Sequence, residues 1–247
     1  MNGRFFSYWL YEEGSALKNK RFLILVLLLL YMMSASGCTK FLQAVSYRER
    51  EIPVPILDPG HGGDDGGAVS PGGDKESIIN LSISKEIEQI FAIFGVKCVK
   101  TRDSEDIIYS KDADTIRKRK VYDQHTRLNL IDSVENGFLI SIHQNFYPSA
   151  EPHGAEIYYN AYPSAENLAK IAQESLITEL DPTNKRTAAK VSDSVFLTNH
   201  VSCPAILVEC GFLSNPEELQ NLLNPTYQCK IAMLLSAAFL NYCDNTG

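Results

Sequence analysis

Four residues of the sequence carry side chains suited to metal binding or proton transfer. His61, His143 and Glu209 each lie at or just beyond the end of a short apolar run, and Glu76 opens the helical pattern that follows the first run. Two imidazoles and a carboxylate are a common ligand set for catalytic zinc, which keeps one position open for water. The remaining carboxylate could then act as a general base. The residues alone do not decide which glutamate would take which role.

Each of these residues also has an explanation that needs no metal. His61 could be a turn residue, and Glu76 could be a solvated carboxylate that the dipole of its helix favours. Glu209 could be one half of a buried ion pair. Their spacing carries no local signature of the HExxH kind, so a metal site is one interpretation among several at this point.

The elements that must position these residues alternate between strands and helices. Such alternation predicts an α/β fold, here a single three-layer domain with a mostly parallel, twisted sheet and helices on both faces. Ligands bind such sheets at the carboxyl ends of the strands, so we expect the four residues to meet at one edge. The predicted strands span residues 52–57, 96–101, 138–142, 155–159, 195–197 and 205–208. The predicted helices span residues 74–94, 115–135, 164–180 and 225–242.

Helical spacing of apolar residues predicts which helix faces are buried. Asp74 is expected to cap the first helix. The expected buried positions are Ile79, Ile83, Ile87 and Ile90 in the first helix, Val121, Leu128, Ile131 and Val134 in the second, and Ile231, Leu234, Leu235 and Ala238 in the last.

The N-terminal segment, residues 1–50, differs from the rest of the chain. Basic residues precede an apolar run at 22–36, and small residues follow, which is typical of a secretory signal. The strongly apolar part is shorter than the roughly 20 residues of a relaxed membrane span. Cys38 resembles the processing site of a bacterial lipoprotein. We therefore expect export, either to the outer face of the cytoplasmic membrane or to the cell wall or spore cortex space. The segment could be a cleaved signal, an uncleaved anchor at 22–36 or the leader of a lipidated Cys38.

Composition places the remainder, residues 51–247, among ordinary globular domains. The chain has 247 residues, of which 45% are hydrophobic, and a formal net charge of −7. This charge argues against nucleic acid as the main partner, because nucleic-acid binders usually carry a basic patch. Six cysteines without a CxxC pair leave disulfides undecided, and most are expected to be buried thiols.

Several short motifs then occur in a fixed order along the chain. They resemble the zinc-dependent N-acetylmuramoyl-L-alanine amidases, the type 3 amidase family, over residues 52–242. The motifs are Ile-Leu-Asp-Pro-Gly-His-Gly-Gly at 56–63 with Asp-Gly-Gly-Ala at 65–68, Lys-Glu at 75–76, Thr-Arg-Asp at 101–103, Arg-Leu-Asn at 127–129, Ser-Ile-His-Gln-Asn at 141–145, and Val-Glu-Cys-Gly-Phe-Leu-Ser-Asn at 208–215.

The resemblance implies an activity and assigns roles to the four residues. It implies hydrolysis of the amide bond between N-acetylmuramic acid and L-alanine of the peptidoglycan stem peptide, through a water activated by one zinc ion per chain. His61, Glu76 and His143 match the family's zinc ligands, and Glu209 matches its catalytic glutamate. No ligand position is lost, although Gln144, Phe146 and Cys210 depart from the residues usual at their positions.

Three further residues near these motifs receive predicted roles. Asp58 and Asn145 are expected to orient ligands or substrate, although Asp58 could equally stabilise its turn. Cys210 follows Glu209 on a strand, so its side chain should point to the opposite face. We therefore expect Cys210 to pack in the core and not to act as a ligand or nucleophile.

The segment 117–131 is similar to a subgroup of these amidases found in spore-forming bacteria. That subgroup removes stem peptides from spore cortex peptidoglycan, which prepares muramic acid for conversion to the δ-lactam. Peptidoglycan is then the expected partner, the N-terminal segment the expected membrane contact, and an activating protein is possible. The alternatives are a zinc peptidase that cuts within the stem peptide, a non-catalytic peptidoglycan-binding protein and, least favoured, a glycosidase using Glu76 and Glu209.

Overall fold

A computed structural model describes residues 52–246 of the chain, which form one compact unit. The strands are β1 (Val54–Pro59), β2 (Val99–Lys100), β3 (Gly137–Asn145), β4 (Glu156–Tyr159), β5 (Ala189–Lys190) and β6 (Ala205–Phe212). The helices are α1 (Glu76–Ile93), α2 (Ile116–Asp132), α3 (Pro163–Leu180), α4 (Phe196–His200), α5 (Pro216–Leu222) and α6 (Pro225–Thr246).

The six strands form one sheet in the order β2-β1-β3-β6-β4-β5. Strands β2, β1, β3 and β6 are parallel, and β4 pairs antiparallel with β6. The central strand β3 begins with residues buried on both faces, which its unbroken apolar run predicts. The register places Asp58 of β1 beside Ser141 of β3, and His143 of β3 beside Glu209 of β6. The sheet thus brings residues from three strands together at their carboxyl ends.

Helices cover both faces of this sheet, which confirms the predicted three-layer α/β fold. On one face, α1, α3 and α6 pack on alternate residues of the central strands, such as Leu57, Ile140 and Ile206. On the other face, a smaller cluster joins α2 to the sheet and includes Ile131 and Leu139. The intervening residues of β1, β3 and β6 point to this second face, including Asp58, His143 and Glu209.

The start of α1 differs from the prediction that Asp74 caps it. The helix begins at Glu76, and its N-terminal cap residue Lys75 makes no capping hydrogen bond through its side chain. Asp74 instead accepts a hydrogen bond of 2.6 Å from the hydroxyl of Ser70 and so closes the preceding turn. By contrast, the side chain of Thr115 caps α2 by accepting from the backbone N–H of Lys118.

The other differences between the predicted and the observed structure concern three short elements and one residue of α2. The predicted strand at 195–197 is wrong, because the structure has helix α4 there. The side-chain amide of Asn199 donates to the carbonyls of Ser192 and Val195, and these local hydrogen bonds favour a turn of helix. Strand β5 and helix α5 were not predicted. Val121 is 47% exposed and not buried as predicted, since α2 covers the sheet only through its C-terminal half.

The predicted N-terminal signal or anchor, with its apolar run at 22–36 and Cys38, lies outside the described residues. Within residues 52–246, none of the helices combines the length and apolar character that crossing a membrane requires. The five cysteines of this range are all free, and three of them, Cys203, Cys210 and Cys243, are buried.

Candidate active site

The three predicted ligands lie together where β1, α1 and β3 meet. His61 lies in the turn after β1, Glu76 is the first residue of α1, and His143 lies near the end of β3. One ligand atom from each can be chosen so that all three lie within 4.8 Å of one another. Glu76 bridges the histidines, with Oε1 2.9 Å from Nδ1 of His143 and Oε2 3.4 Å from Nε2 of His61. This donor set is one that zinc accepts.

The buried carboxylate of Glu76 is held in its ionised form. Burial alone would raise its pKa, but the hydrogen bond and charge of His143 and the charge of His61 lower it to about 2. The backbone N–H groups of Ala68 and Gln144 also donate to its two oxygens, at 2.7 and 3.0 Å. Metal ligands must be deprotonated, and the carboxylate of Glu76 meets this condition.

The backbone around the cluster leaves no room for larger residues. His61 has a φ of 59°, in the left-handed region that non-glycine residues seldom adopt. Gly67 has a φ of 71°, and a Cβ atom there would lie 2.4 Å from Oε2 of Glu76. A Cβ at Gly60 would lie 2.2 Å from the ring of His143. The glycines therefore allow the backbone to approach the ligands closely, and the cradle fits the three side chains.

Two buried arginines hold the turn that carries His61. Nε of Arg102 donates to the carbonyl of Pro59 at 2.8 Å, and its Nη2 donates to that of Gly60 at 3.1 Å. Arg127 donates to the carbonyls of Pro59 at 2.8 Å and His61 at 2.6 Å. Three consecutive carbonyls are thus fixed by guanidinium groups, which explains how His61 keeps a left-handed backbone.

Asp58 supports this turn from inside the sheet. Its side chain accepts hydrogen bonds from Arg127, Thr101 and Ser141, at 2.8, 2.6 and 2.6 Å. Burial alone would raise its pKa, but the charge of Arg127 and the two hydroxyl hydrogen bonds lower it to about 2. Asp58 thus contacts the same guanidinium that donates to the carbonyl of His61, while its expected role in orienting the ligands stays a prediction.

Glu209 faces the cluster from the neighbouring strand. It is half-buried, and its Oε2 is a buried atom without a hydrogen-bond partner within the described part of the chain. Burial raises the pKa of Glu209 to about 7; His143 opposes the shift, while Glu76 and Glu156 add to it. A carboxyl group with a pKa near neutrality can accept and return a proton at working pH. Glu209 thus has the property of a general acid–base residue.

Both Glu209 and the cluster border one cleft of about 340 Å³ on the α2 face of the sheet. One wall is formed by α2, and the other by the segment 194–198, which includes the start of α4. Three of the four candidate residues, His61, His143 and Glu209, line this cleft, and its other polar lining includes Asp65, Lys120 and Asp123.

The model of the N-acetylmuramoyl-L-alanine amidase family matches residues 56–241 of the chain. The chain belongs to this family. The predicted family and its amidase activity are thereby confirmed, while the zinc ion and the role of each site residue stay predictions.

Individual relatives agree with this assignment. The germination-specific N-acetylmuramoyl-L-alanine amidase of Bacillus subtilis is 33% identical over 231 residues, which cover 92% of this chain and 93% of that protein. The CwlD amidase from Clostridioides difficile, solved in complex with the GerS lipoprotein, has a TM-score of 0.75 and 30% identity. That match covers 78% of this chain and 99% of that one. AmiC2 of Nostoc punctiforme has a TM-score of 0.65 and 27% identity, over 78% and 97% of the two chains.

Two residues of this amidase with predicted roles, Asn145 and Cys210, lie outside the cleft that Glu209 lines. Asn145 ends β3 and does not line the cleft; its side-chain oxygen accepts from the N–H of Phe146 at 2.8 Å. Its expected role toward substrate stays a prediction. Cys210 is 2% exposed and packs in the main core, on the face opposite Glu209, as predicted. Burial raises the pKa of its thiol, which therefore stays protonated and apolar in character.

Asp65 is a site residue that lies in one of the sequence motifs but for which no role was predicted. Its Oδ2 lies 3.0 Å from Nδ1 of His61 and 3.0 Å from Nζ of Lys120. Burial alone would raise the pKa of Asp65, but His61 and Lys120 lower it. A carboxylate on one imidazole nitrogen orients the other toward a metal. Its position four residues after His61, in a glycine-rich turn, was the available signal.

Proposed function

We propose that this amidase cleaves the bond between N-acetylmuramic acid and L-alanine with one zinc ion held by His61, Glu76 and His143. Glu209 is the proposed proton-transfer residue. One observation carries the proposal: Glu209, a carboxyl group with a pKa of about 7, lies on the strand beside the His–Glu–His cluster and lines the same cleft as His61 and His143. Catalytic zinc sites combine three such ligands with an open position.

The residues of the chain divide the chemistry between them. A bound zinc ion would supply Lewis-acid chemistry, which acidifies water and polarises a carbonyl group. Glu209 would accept a proton from the attacking water and pass it to the alanine nitrogen as the amide bond breaks. Asp65 would hold Nδ1 of His61 so that its Nε2 faces Glu76, and Arg127 would keep the backbone of His61 in place.

The proposed substrate is spore cortex peptidoglycan. Support comes from the 33% identity to a germination-specific amidase of Bacillus subtilis across 92% of the chain. Loss of the stem peptide would leave a free lactyl carboxyl group on muramic acid, which δ-lactam formation requires. The proposed site of action is the wall or cortex space, with the N-terminal segment as signal or anchor.

A lipoprotein is the proposed class of partner. Support comes from the CwlD amidase of Clostridioides difficile, which was solved in complex with the GerS lipoprotein and covers 78% of this chain. We propose that a protein of that kind binds this amidase at the membrane surface and assists its activity.

The bond specificity can be tested by digesting purified cortex and vegetative peptidoglycan with the zinc-loaded full chain. Mass spectrometry should find stem peptides that begin with a free L-alanine amine, together with glycan strands that keep their length. The Glu209→Gln variant and a chelated sample should release none. Cleavage within the stem peptide would favour the peptidase alternative, and binding without any product from the zinc-loaded chain would favour a non-catalytic binding protein.

A further inference from the structure

Most charges that line the cleft are already neutralised within the protein. Arg127 is 4% exposed, and its five N–H donors face Asp58, Asp123 and backbone carbonyls, so no donor remains for a ligand. Asp58 is 1% exposed and accepts from three partners. These groups shape the site but cannot bind a substrate without breaking buried contacts, which is costly.

Lys120 differs from these groups because it reaches solvent. Its side chain is 47% exposed, and it lines the same cleft as Glu209 and His143. Its ammonium group lies 3.0 Å from Oδ2 of Asp65. An ammonium group has three N–H donors. Because one of them faces the carboxylate of Asp65, two remain directed toward water. Among the described residues, Lys120 is thus the cation of the cleft that a ligand can contact.

The basic residues next to Lys120 in the sequence do not share this position. Arg119 pairs with Asp64, and Lys118 pairs with Asp114 at 2.8 Å on the exposed side of α2. Neither lines the cleft. The run at 117–120 therefore places one cation in the cleft. The opposite wall is mostly apolar, with Val195, Phe196 and Leu197 between two hydroxyl residues at 194 and 198. The cleft is asymmetric, with a charged wall and an apolar one.

We propose that Lys120 binds a free carboxylate of the stem peptide while the alanine amide lies between the His–Glu–His cluster and Glu209. This inference rests on the proposed function and adds a determinant of substrate choice. The stem peptide is the part of peptidoglycan that carries free carboxylates, whereas N-acetylmuramic acid joined to the peptide through its lactyl group is neutral. A charge-assisted hydrogen bond across the cleft fixes the direction in which the peptide enters.

The alternative is that Lys120 only holds Asp65 in place. An ion pair this exposed contributes little to stability, and Asp65 also faces the imidazole of His61. Under that alternative, removing the ammonium would alter zinc binding and would affect every substrate equally. Under the proposal, the loss would depend on the charge of the substrate.

The test uses two muramoyl peptides that differ only at the residue that follows alanine. The carboxylate of that residue is free in one peptide and amidated in the other. Kinetics are compared for the zinc-loaded full chain, for Lys120→Gln and for Lys118→Gln as a matched control on the same helix. Zinc affinity is measured for each protein. Dissociation constants for both peptides are measured in the Glu209→Gln background, so that binding is read without turnover.

We expect Lys120→Gln to lower kcat/KM about tenfold on the free carboxylate peptide, the size of one charge-assisted hydrogen bond. The change should appear mainly in KM, with no more than about a twofold effect on the amidated peptide. Lys118→Gln should match the wild type on both peptides, and zinc affinity should be unchanged in both variants. An equal loss on both peptides, or none on either, would overturn the proposal. If the wild type cleaves neither peptide, the proposed function fails, and the binding constants still decide the role of Lys120.

Discussion

Replacing Glu209 by glutamine is expected to stabilise the metal-free protein at alkaline pH and to leave it unchanged at acidic pH. The pKa of Glu209 is raised from 4.5 to about 7 because folding buries the carboxyl group. Below pH 4.5 the group is protonated in both the folded and the unfolded chain, so it contributes no difference. Between pH 4.5 and 7 the unfolded chain ionises while the folded chain keeps the proton. The free energy of unfolding therefore falls across this window and levels off above pH 7.

The size of this effect follows from the pKa difference. Each tenfold change in a protonation equilibrium corresponds to about 1.4 kcal/mol, so the full difference corresponds to about 3 kcal/mol. Glu209 is only half-buried, and access of water reduces the expected cost to about 2 kcal/mol. For a domain of this size, that amounts to about 4 to 8 °C in Tm.

Thermal and urea unfolding of the wild type and Glu209→Gln in the presence of a chelator would measure the effect. The two proteins should unfold together near pH 4.5, and the variant should be more stable at pH 8.5. A difference in stability that is the same at every pH would contradict a raised pKa of Glu209, since the neutral replacement would then act through packing and not through charge. A raised pKa found this way would also show why Glu209 can exchange protons near neutrality.

Three further substitutions test other parts of the site. Gly67→Ala should lower zinc affinity at least about tenfold, because its Cβ would lie 2.4 Å from Glu76. The control Gly95→Ala has a φ of 72° and open space around it, so it should keep its zinc affinity and cost about 1 to 2 kcal/mol of stability. Equal zinc affinity in both variants, measured by competitive titration, would contradict this. Arg127→Leu should cost about 3 to 5 kcal/mol in urea unfolding, because it leaves the carboxylate of Asp58 buried without its cation, and a loss below 1 kcal/mol would be too small for that role. Cys210→Ala should keep kcat and lose about 1 kcal/mol of stability; loss of kcat with zinc still bound would instead make the thiol part of the reaction.

Much of the fold was predictable because the strands that carry the site have strong local patterns. The apolar runs at 138–142 and 205–208 lie inside β3 and β6, and parallel topology then places His143 and Glu209 on neighbouring strands. The motifs supplied what the patterns could not, namely which carboxylate belongs with the two histidines. The short elements failed because three apolar residues, such as those at 195–197, fit a strand and a helix equally well.

The supporting residues of the site were harder to predict because their roles depend on contacts distant in sequence. Arg127 binds carbonyls some 66 to 68 positions away, and Lys120 reaches Asp65 across 55 positions. Nothing in the local sequence separates Lys120 from Lys118, yet one lines the cleft and the other faces solvent. The raised pKa of Glu209 likewise arises from burial that only the folded sheet provides.

Zinc titration of the metal-free full chain, with bound metal and amidase turnover measured in the same samples, tests whether His61, Glu76 and His143 hold the catalytic ion. Turnover should rise in proportion to bound zinc and saturate at one ion per chain. Glu209→Gln should bind one zinc ion without turnover, and His143→Ala should bind none with comparable affinity. Full activity without bound metal, or undiminished zinc binding by His143→Ala, would contradict the assignment of the cluster.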